Sequence, residues 1–218
     1  MRQSSGSGGI ALMAAVLGGI AILACAVPAD AADAADAVAV EATEKGYGQR
    51  LVEAARRQTW WPVVYNSAYR KIPYPMGDVP WYLGVCTDVV VRAYREIGVD
   101  LQELVHRARV GSGDTNIDHR RVPVLKAYFS RAGETLPVSK NAADYRPGDI
   151  VTYDLPAGYS SRTHIVIVSD RRSREGTPLV LHNRGFGVVE EDWLFAERIS
   201  GRFRFRPRQR EAASRVLR

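Results

Sequence analysis

A cysteine at the start of an amphipathic helix is the residue in this chain best suited to covalent chemistry. Cys86 precedes apolar residues four, seven and eleven positions further on, at Val90, Ala93 and Ile97. That spacing predicts a helix that runs to about Ile97 and is ended by Gly98. In its first turn, unpaired backbone N–H groups and the positive end of the helix dipole favour the thiolate over the thiol. The pattern indicates a nucleophile, with a small buried hydrophobe as the alternative.

A nucleophilic thiol needs a base, and two of the four histidines stand in segments typical of strands. His164 and His182 are flanked by the β-rich runs 165–168 and 179–181. Neighbouring strands can hold two imidazoles on one face, so that one takes the thiol proton and the other orients its ring. The same pair could instead bind a metal, or the two histidines could be buried in the core with all their hydrogen bonds made. The chain lacks a closely spaced His-x-x-His pair, which counts against a metal site.

The other two histidines are expected in solvated positions. His106 lies on the polar side of a predicted helix over 101–109, and His119 belongs to a polar segment, 114–121. In that segment, Asp118 is the expected N-cap of the next helix. Neither histidine is therefore a candidate base for Cys86.

The remaining periodicities place the helices first and the strands afterwards. Helical spacing occurs over 47–58, 101–109 and 122–131, and strand-like runs occur over 150–153, 164–169, 179–183 and 202–206. This order predicts an α+β fold in which N-terminal helices pack on a small antiparallel sheet. In the last run Arg and Phe alternate, so we expect buried Phe and exposed Arg. That arrangement disfavours a nucleic-acid surface, which would need both residue types on the exposed face.

The N-terminus has the layout of a secretory signal peptide. Arg2 precedes an uncharged apolar stretch over about 8–27, and Ala29-Asp30-Ala31 offers a small-x-small cleavage site. We divide the chain into a signal peptide (1–31), an Ala/Asp-rich linker (32–45), one domain (46–210) and a tail (211–218). Lipid attachment at Cys25 is an alternative, as is an uncleaved membrane anchor. In each case the domain is expected outside the cytoplasm, periplasmic or secreted.

The composition is that of a soluble globular protein with a basic surface. Of the 218 residues, 46% are hydrophobic and 25% charged, with a net charge of +6 and a pI of about 9.5. An excess of basic residues suits an anionic polymer as partner. The alternative is that the arginines form a solvated surface with no partner. The sequence contains no P-loop, dinucleotide fingerprint or zinc-type cysteine pairs. We therefore expect no cofactor, no metal and no nucleic-acid partner, and we expect a monomer.

Four short motifs follow one another along the chain. They are the predicted helix that begins with Cys86, then Pro147-Gly148-Asp149-Ile150-Val151, His164-Ile165-Val166-Ile167-Val168 and Leu179-Val180-Leu181-His182. In this order they resemble the NlpC-type cell-wall peptidase superfamily of papain-like cysteine hydrolases. More narrowly, Gly84-Val85-Cys86-Thr87-Asp88, the segment 117–123, and His182-Asn183 followed by Gly185 and Gly187 resemble its YijF-type branch, a domain of unknown function. The resemblance covers about 46–207 and implies a papain-like fold.

The resemblance also implies roles for individual residues. Cys86 matches the nucleophile, His164 the general base and His182 the polar third member. Tyr74, twelve residues before Cys86, matches a tyrosine on the substrate side. Asn183 competes with His182 for the third position, because alternation along a strand lets only one of them face the site.

The chain departs from the superfamily directly after the nucleophile. Thr87-Asp88 stands where Ser-Gly is usual. A carboxylate so close to the thiol opposes thiolate formation, unless Asp88 caps the helix or contacts the substrate. We therefore expect Asp88, together with Tyr74 and Asn183, to contribute to substrate binding.

These patterns predict an exported cysteine hydrolase that attacks an amide bond with Cys86, His164 and His182. By resemblance, the substrate is a peptide amide bond in bacterial peptidoglycan. One alternative is a catalytically silent envelope module that binds cell-wall peptides in the same cleft. The other is a metal-dependent hydrolase that uses the paired histidines.

Overall fold

The structure, a computed structural model, describes residues 46–207. The predicted signal peptide, the linker, Cys25 and the tail over 211–218 lie outside the described residues and stay predictions. Within 46–207, no helix is both long enough and apolar enough to cross a membrane.

Four α-helices occur in the described residues. They are α1 (46–57), α2 (Cys86–Glu96), α3 (Leu101–Arg107) and α4 (Val122–Ala132). Helix α2 ends as predicted, because Gly98 takes a φ of +87°, which glycine adopts without steric cost. Asp100 then starts α3 by accepting the backbone N–H groups of Gln102 and Glu103.

The described residues contain eight strands in two sheets. The smaller sheet pairs β1 (Val64–Tyr65) with β2 (Leu83–Gly84) in parallel. The larger sheet contains β3 (Glu134–Leu136), β4 (Ile150–Asp154), β5 (Thr163–Arg172), β6 (Pro178–His182), β7 (Val189–Glu191) and β8 (Arg198–Arg204). Its order is β3-β8-β4-β5-β6-β7, and all neighbours are antiparallel. The predicted α+β fold is confirmed. The short strands β1, β2, β3 and β7 were not predicted, because two or three residues carry too little periodicity.

Strand alternation divides the larger sheet between two apolar clusters. On β5, Ile165 and Ile167 pack with the helices, whereas Val166 and Val168 join a second cluster that includes Trp193. Strand β5 is thus covered on both faces. It is the element that connects the layer of helix α2 with the second cluster.

The last strand differs from the predicted pattern of exposed arginines. Phe203 and Phe205 are buried as predicted, but Arg202 is buried as well. Its Nε donates to Oδ2 of Asp149 at 3.1 Å, and Nε of Arg204 donates to Oδ1 at 2.9 Å. The expectation of a solvated side chain was wrong for Arg202, because ion pairing with Asp149 offsets the cost of burying its charge.

Candidate functional site

Cys86 is the first residue of α2 and is 4% exposed. The chain packs tightly just before it, since a Cβ on Gly84 would lie 3.1 Å from Cγ1 of Val63. Burial raises the pKa of the Cys86 thiol to about 11, and hydrogen bonding to the backbone of Ile165 and to the side chain of Tyr65 opposes this only in part. Desolvation therefore outweighs the expected stabilisation of the thiolate at the helix start.

His164 and His182 stand on neighbouring strands and hydrogen-bond each other. Nε2 of His164 lies 2.8 Å from Nδ1 of His182, with the rings edge to face at 5.0 Å. His164 immediately precedes Ile165, the residue whose backbone meets the thiol. His164 is therefore the neighbour along β5 of the residue that meets the thiol, and its ring packs with that of His182 beside Trp193 of the second cluster. The hydrogen bond places His182, rather than Asn183, beside His164.

A buried indole covers both imidazoles. Trp193 is 8% exposed, and its ring centroid lies 5.3 Å from that of His164 and 5.2 Å from that of His182. Tyr153 adds a further ring, 5.0 Å from Trp193. Burial lowers the pKa of His164 to about 3 and also lowers the pKa of His182. Both imidazoles are therefore neutral at pH 7.

A carboxylate is hydrogen-bonded to the second imidazole, that of His182. Oε1 of Glu191, on β7, lies 2.9 Å from Nε2 of His182. Arg184 binds both oxygens of this carboxylate, with Nε–Oε1 at 2.8 Å and Nη2–Oε2 at 3.1 Å. Hydrogen bonding to Arg184 holds the pKa of Glu191 below its usual range. Sequence reasoning missed Glu191, because nothing in its spacing links it to His182.

Asp88, the residue that departs from the superfamily, is buried and supports the start of α2. Its Oδ2 accepts the backbone N–H of Val85 at 2.7 Å. Arg120 binds both carboxylate oxygens, at 2.7 and 2.9 Å, and both side chains are at most 3% exposed. Thr87 adds a second link, since its hydroxyl donates to the carbonyl of Arg120 at 2.8 Å. These contacts make Asp88 a helix cap and an ion-pair partner, whereas its expected contact with substrate stays a prediction.

Residues 118–120, just before α4, are buried, so the expectation of solvated positions was wrong for them, whereas Arg121 is exposed. Asp118 is 4% and His119 is 2% exposed. Asp118 accepts hydrogen bonds from Ser112 at 2.8 Å and from the backbone N–H of Gly113 at 2.7 Å. It therefore closes a loop, and Arg121 takes the N-cap position of α4 that was predicted for Asp118. Burial lowers the pKa of His119 to about 4, and its Nδ1 has no hydrogen-bond partner within 46–207.

The tyrosine beside the thiol is Tyr65 rather than Tyr74. Tyr65 ends β1 and interacts with Cys86, and burial raises the pKa of its phenol, which stays a neutral donor. Tyr74 is 43% exposed and packs edge to face on His106, which is exposed on α3 as predicted. The role of Tyr74 in substrate binding stays a prediction.

Asn183 is fully buried next to His182. Its Oδ1 accepts the backbone N–H of Gly185 at 3.1 Å, and in the described part of the chain its Nδ2 has no partner. The loop that follows is attached to β1, since Gly185 accepts the backbone N–H of Tyr65 at 3.2 Å. Asn183 is thus tied to the strand that carries the phenol beside the thiol, and its contact with substrate stays a prediction.

The two imidazoles are bonded to each other and are not arranged around an ion. Nε2 of His164 and Nδ1 of His182 face one another, and Nε2 of His182 faces Glu191. Among residues 46–207, no group of three or more His, Cys, Asp or Glu side chains is placed to hold a metal ion. This geometry does not favour the metal-dependent alternative.

Exposed aromatic rings surround the chain segments that lead to Cys86. They are Trp60, Trp61, Trp81, Tyr82 and Phe186. The segments are joined through β1: the backbone N–H of Val64 donates to the carbonyl of Tyr82 at 2.8 Å, and Val64 also forms a bridge with Phe186. Large aromatic side chains left exposed on neighbouring segments in this way are a feature of binding surfaces.

These elements define an α+β domain with a thiol at a helix start and a hydrogen-bonded imidazole pair on the adjacent strands. The chain belongs to the family described as "Domain of unknown function (DUF1287)", whose family model matches residues 52–205. A relative, "Uncharacterized protein YijF" of Escherichia coli (strain K12), is 46% identical over 167 residues, which are 71% of this chain and 80% of that protein. The predicted YijF-type branch is therefore confirmed.

Similar solved structures include NlpC1 and NlpC2 of Trichomonas vaginalis. Each has a TM-score of 0.43, with 16% and 17% sequence identity. The matches cover 72% of this chain but only 44% and 46% of those chains, so the chain spans less than half the length of either protein.

Proposed function

We propose that this domain is a cysteine hydrolase that cleaves a peptide amide bond of bacterial peptidoglycan outside the cytoplasm. The hydrogen bond between His164 and His182, formed directly beside the residue that meets the Cys86 thiol, carries this proposal. A thiol, a base and a residue that orients the base are the set that acyl transfer requires.

The protonation states define the kind of catalysis. With a thiol pKa of about 11 and an imidazole pKa of about 3, Cys86 and His164 are both uncharged at pH 7. The proton therefore leaves the thiol while the sulfur–carbon bond forms, which is general base catalysis and not attack by a preformed ion pair. His164 takes this proton and later gives it to the leaving amine, and water then hydrolyses the thioester.

The surroundings of the thiol suit an oxyanion intermediate. The first backbone N–H groups of α2 lie beside Cys86, and such groups stabilise the negative charge of a tetrahedral intermediate. Tyr65 adds a neutral hydroxyl donor next to the sulfur. The indole of Trp193 keeps water from the imidazoles, which strengthens their hydrogen bonds.

The class of substrate is supported by the motif order and by the surface. The chain carries a net charge of +6, which suits an anionic cell-wall polymer. The exposed aromatic rings around the approach to Cys86 offer contact area for a bound chain. Of the residues expected to bind substrate, Tyr74 is exposed and is the proposed substrate-contacting residue, whereas Asp88 and Asn183 are buried and would act by supporting the start of α2 and the loop after β6.

A catalytically silent cell-wall binding module is the second candidate function. The observation that favours it is the buried, protonated thiol, which is only 4% exposed. Such a module would keep the cleft and bind cell-wall peptides without cleaving them.

Digestion of purified peptidoglycan separates these functions. Wild type, Cys86→Ala and His164→Ala are compared, with and without a chelator, and the released fragments are analysed by mass spectrometry. Arg57→Ala is the control, because this exposed side chain ends α1 and pairs with Glu96 rather than with a residue assigned to the site. We expect fragments from wild type and Arg57→Ala only, with no effect of the chelator.

Other outcomes would refute the cysteine mechanism. Fragments released by Cys86→Ala would exclude the thiol as nucleophile, and loss of activity with the chelator would indicate a metal. Retained binding of peptidoglycan by wild type without any fragments would establish the silent module.

A further inference from the structure

Glu191 lies at the end of a continuous series of hydrogen bonds that begins at His164. The series runs from Nε2 of His164 to Nδ1 of His182 at 2.8 Å, and from Nε2 of His182 to Oε1 of Glu191 at 2.9 Å. Arg184 holds the carboxylate from its other side through two hydrogen bonds. The side chain of His182 is fully buried, so each ring nitrogen needs the partner it has.

The protonation state of Glu191 decides the direction of every bond in this series. An ionised carboxylate can only accept hydrogen bonds, and the double hydrogen bond from Arg184 keeps Glu191 ionised. Nε2 of His182 must therefore carry the hydrogen. In a neutral ring, Nδ1 of His182 is then an acceptor, so Nε2 of His164 must donate to it. Nδ1 of His164 is left with a lone pair and can accept a proton.

We infer that Glu191, held by Arg184, is a positioning residue that fixes the tautomers of both imidazoles, so that Nδ1 of His164 is the basic nitrogen. The inference deepens the proposed function and rests on it for the role of His164 as base. When the S–H bond of Cys86 breaks and its sulfur bonds to the carbonyl carbon, the proton moves to Nδ1 of His164. Glu191 takes no proton; its charge stabilises the imidazolium of His164 through the one intervening ring of His182.

Without the carboxylate, the opposite pattern becomes available. Nδ1 of His182 could then donate to Nε2 of His164, and the hydrogen of His164 would sit on Nδ1, where it blocks the base. The other groups that face the pair are Trp193 and Tyr153, and neither accepts a proton at neutral pH. Glu191 is thus the group among the described neighbours of His182 that selects one tautomer.

Nitrogen-15 NMR of histidine-labelled protein tests the inference directly, because the shifts of the two ring nitrogens report which one is protonated. The samples are wild type, Glu191→Gln and the matched control Glu190→Gln. Glu190 is the preceding residue of β7, where it pairs with Arg56 and Arg171 on the other side of the strand. In wild type and Glu190→Gln, we expect hydrogen on Nε2 of both rings. In Glu191→Gln, we expect a mixture or the reversed pattern, and at least about a hundredfold lower turnover if the domain is active.

Each result bears on the inference. A wild-type spectrum with hydrogen on Nδ1 of His164 would overturn it even if Glu191→Gln failed to fold. An unchanged spectrum in folded Glu191→Gln would overturn it too. The proposed function fails separately: predicted tautomers in a protein that releases no peptidoglycan fragments would refute the hydrolase and leave the role of Glu191 in orienting the rings intact.

Discussion

Replacing Arg120 by methionine should destabilise the domain strongly, because it leaves a charge buried at the start of the nucleophile helix. Asp88 and Arg120 are 3% and 2% exposed at their side chains and share two hydrogen bonds. In Arg120→Met, the Asp88 carboxylate keeps only the backbone N–H of Val85 as a partner. Breaking one side of a buried ion pair costs about 3–5 kcal/mol. A domain of this size has a total stability of about 5–15 kcal/mol.

Urea unfolding followed by circular dichroism measures the loss of free energy by linear extrapolation. The matched control is Arg57→Met, which removes an exposed ion pair with Glu96 whose side chains are 56% and 42% exposed. The control should lose less than about 1 kcal/mol, because water screens exposed pairs.

A double variant separates buried charge from lost packing. Asp88→Asn in the Arg120→Met background removes the charge but keeps an oxygen that can accept the N–H of Val85. The double variant should therefore be more stable than Arg120→Met by at least about 1 kcal/mol. The reasoning fails if Arg120→Met loses no more than the Arg57→Met control, or if the double variant recovers nothing.

Two further predictions concern pH. The rate at which iodoacetamide modifies Cys86 should rise continuously from about pH 6 to pH 10, because the thiol pKa of about 11 lies above this range. A rate that reaches a plateau below pH 7 would instead show a preformed ion pair of thiolate and imidazolium. The free energy of unfolding should fall as the pH drops from about 6.5 towards 4, because the folded pKa of His119 is lowered to about 4 and the unfolded chain binds the proton first. Urea titrations at several pH values check this: His119→Gln should lose part of the pH dependence, and equal slopes in wild type and His119→Gln would contradict it.

The parts of the site that the sequence predicts are those encoded by local patterns. Cys86 begins a helix whose apolar spacing is visible over a few turns, and His164 and His182 stand in runs whose composition is typical of strands. Both features depend on neighbours in the chain, so periodicity and composition are sufficient to find them.

The parts that the sequence could not predict depend on contacts between distant segments. Arg120 reaches Asp88 across 32 residues, and Tyr65 rather than Tyr74 meets the thiol because β1 pairs with β2 just before Cys86. The pKa of Cys86 is the clearest case: the helix start is visible in the sequence, whereas the burial that outweighs it arises only after the sheet packs against α2. The buried state of His119 has the same origin.

The single indole that covers both imidazoles has a consequence for how this family can diverge. Trp193 touches His164, His182 and Tyr153 at once, and the guanidinium of Arg184 lies 5.8 Å from its ring. A substitution at Tyr153 or Arg184 changes the space that the indole fills while the two imidazoles are retained, so such a substitution should be accepted mainly together with a change at position 193. In an alignment of relatives, position 193 should therefore co-vary with positions 153 and 184 more strongly than with the exposed tryptophans at 60 and 81.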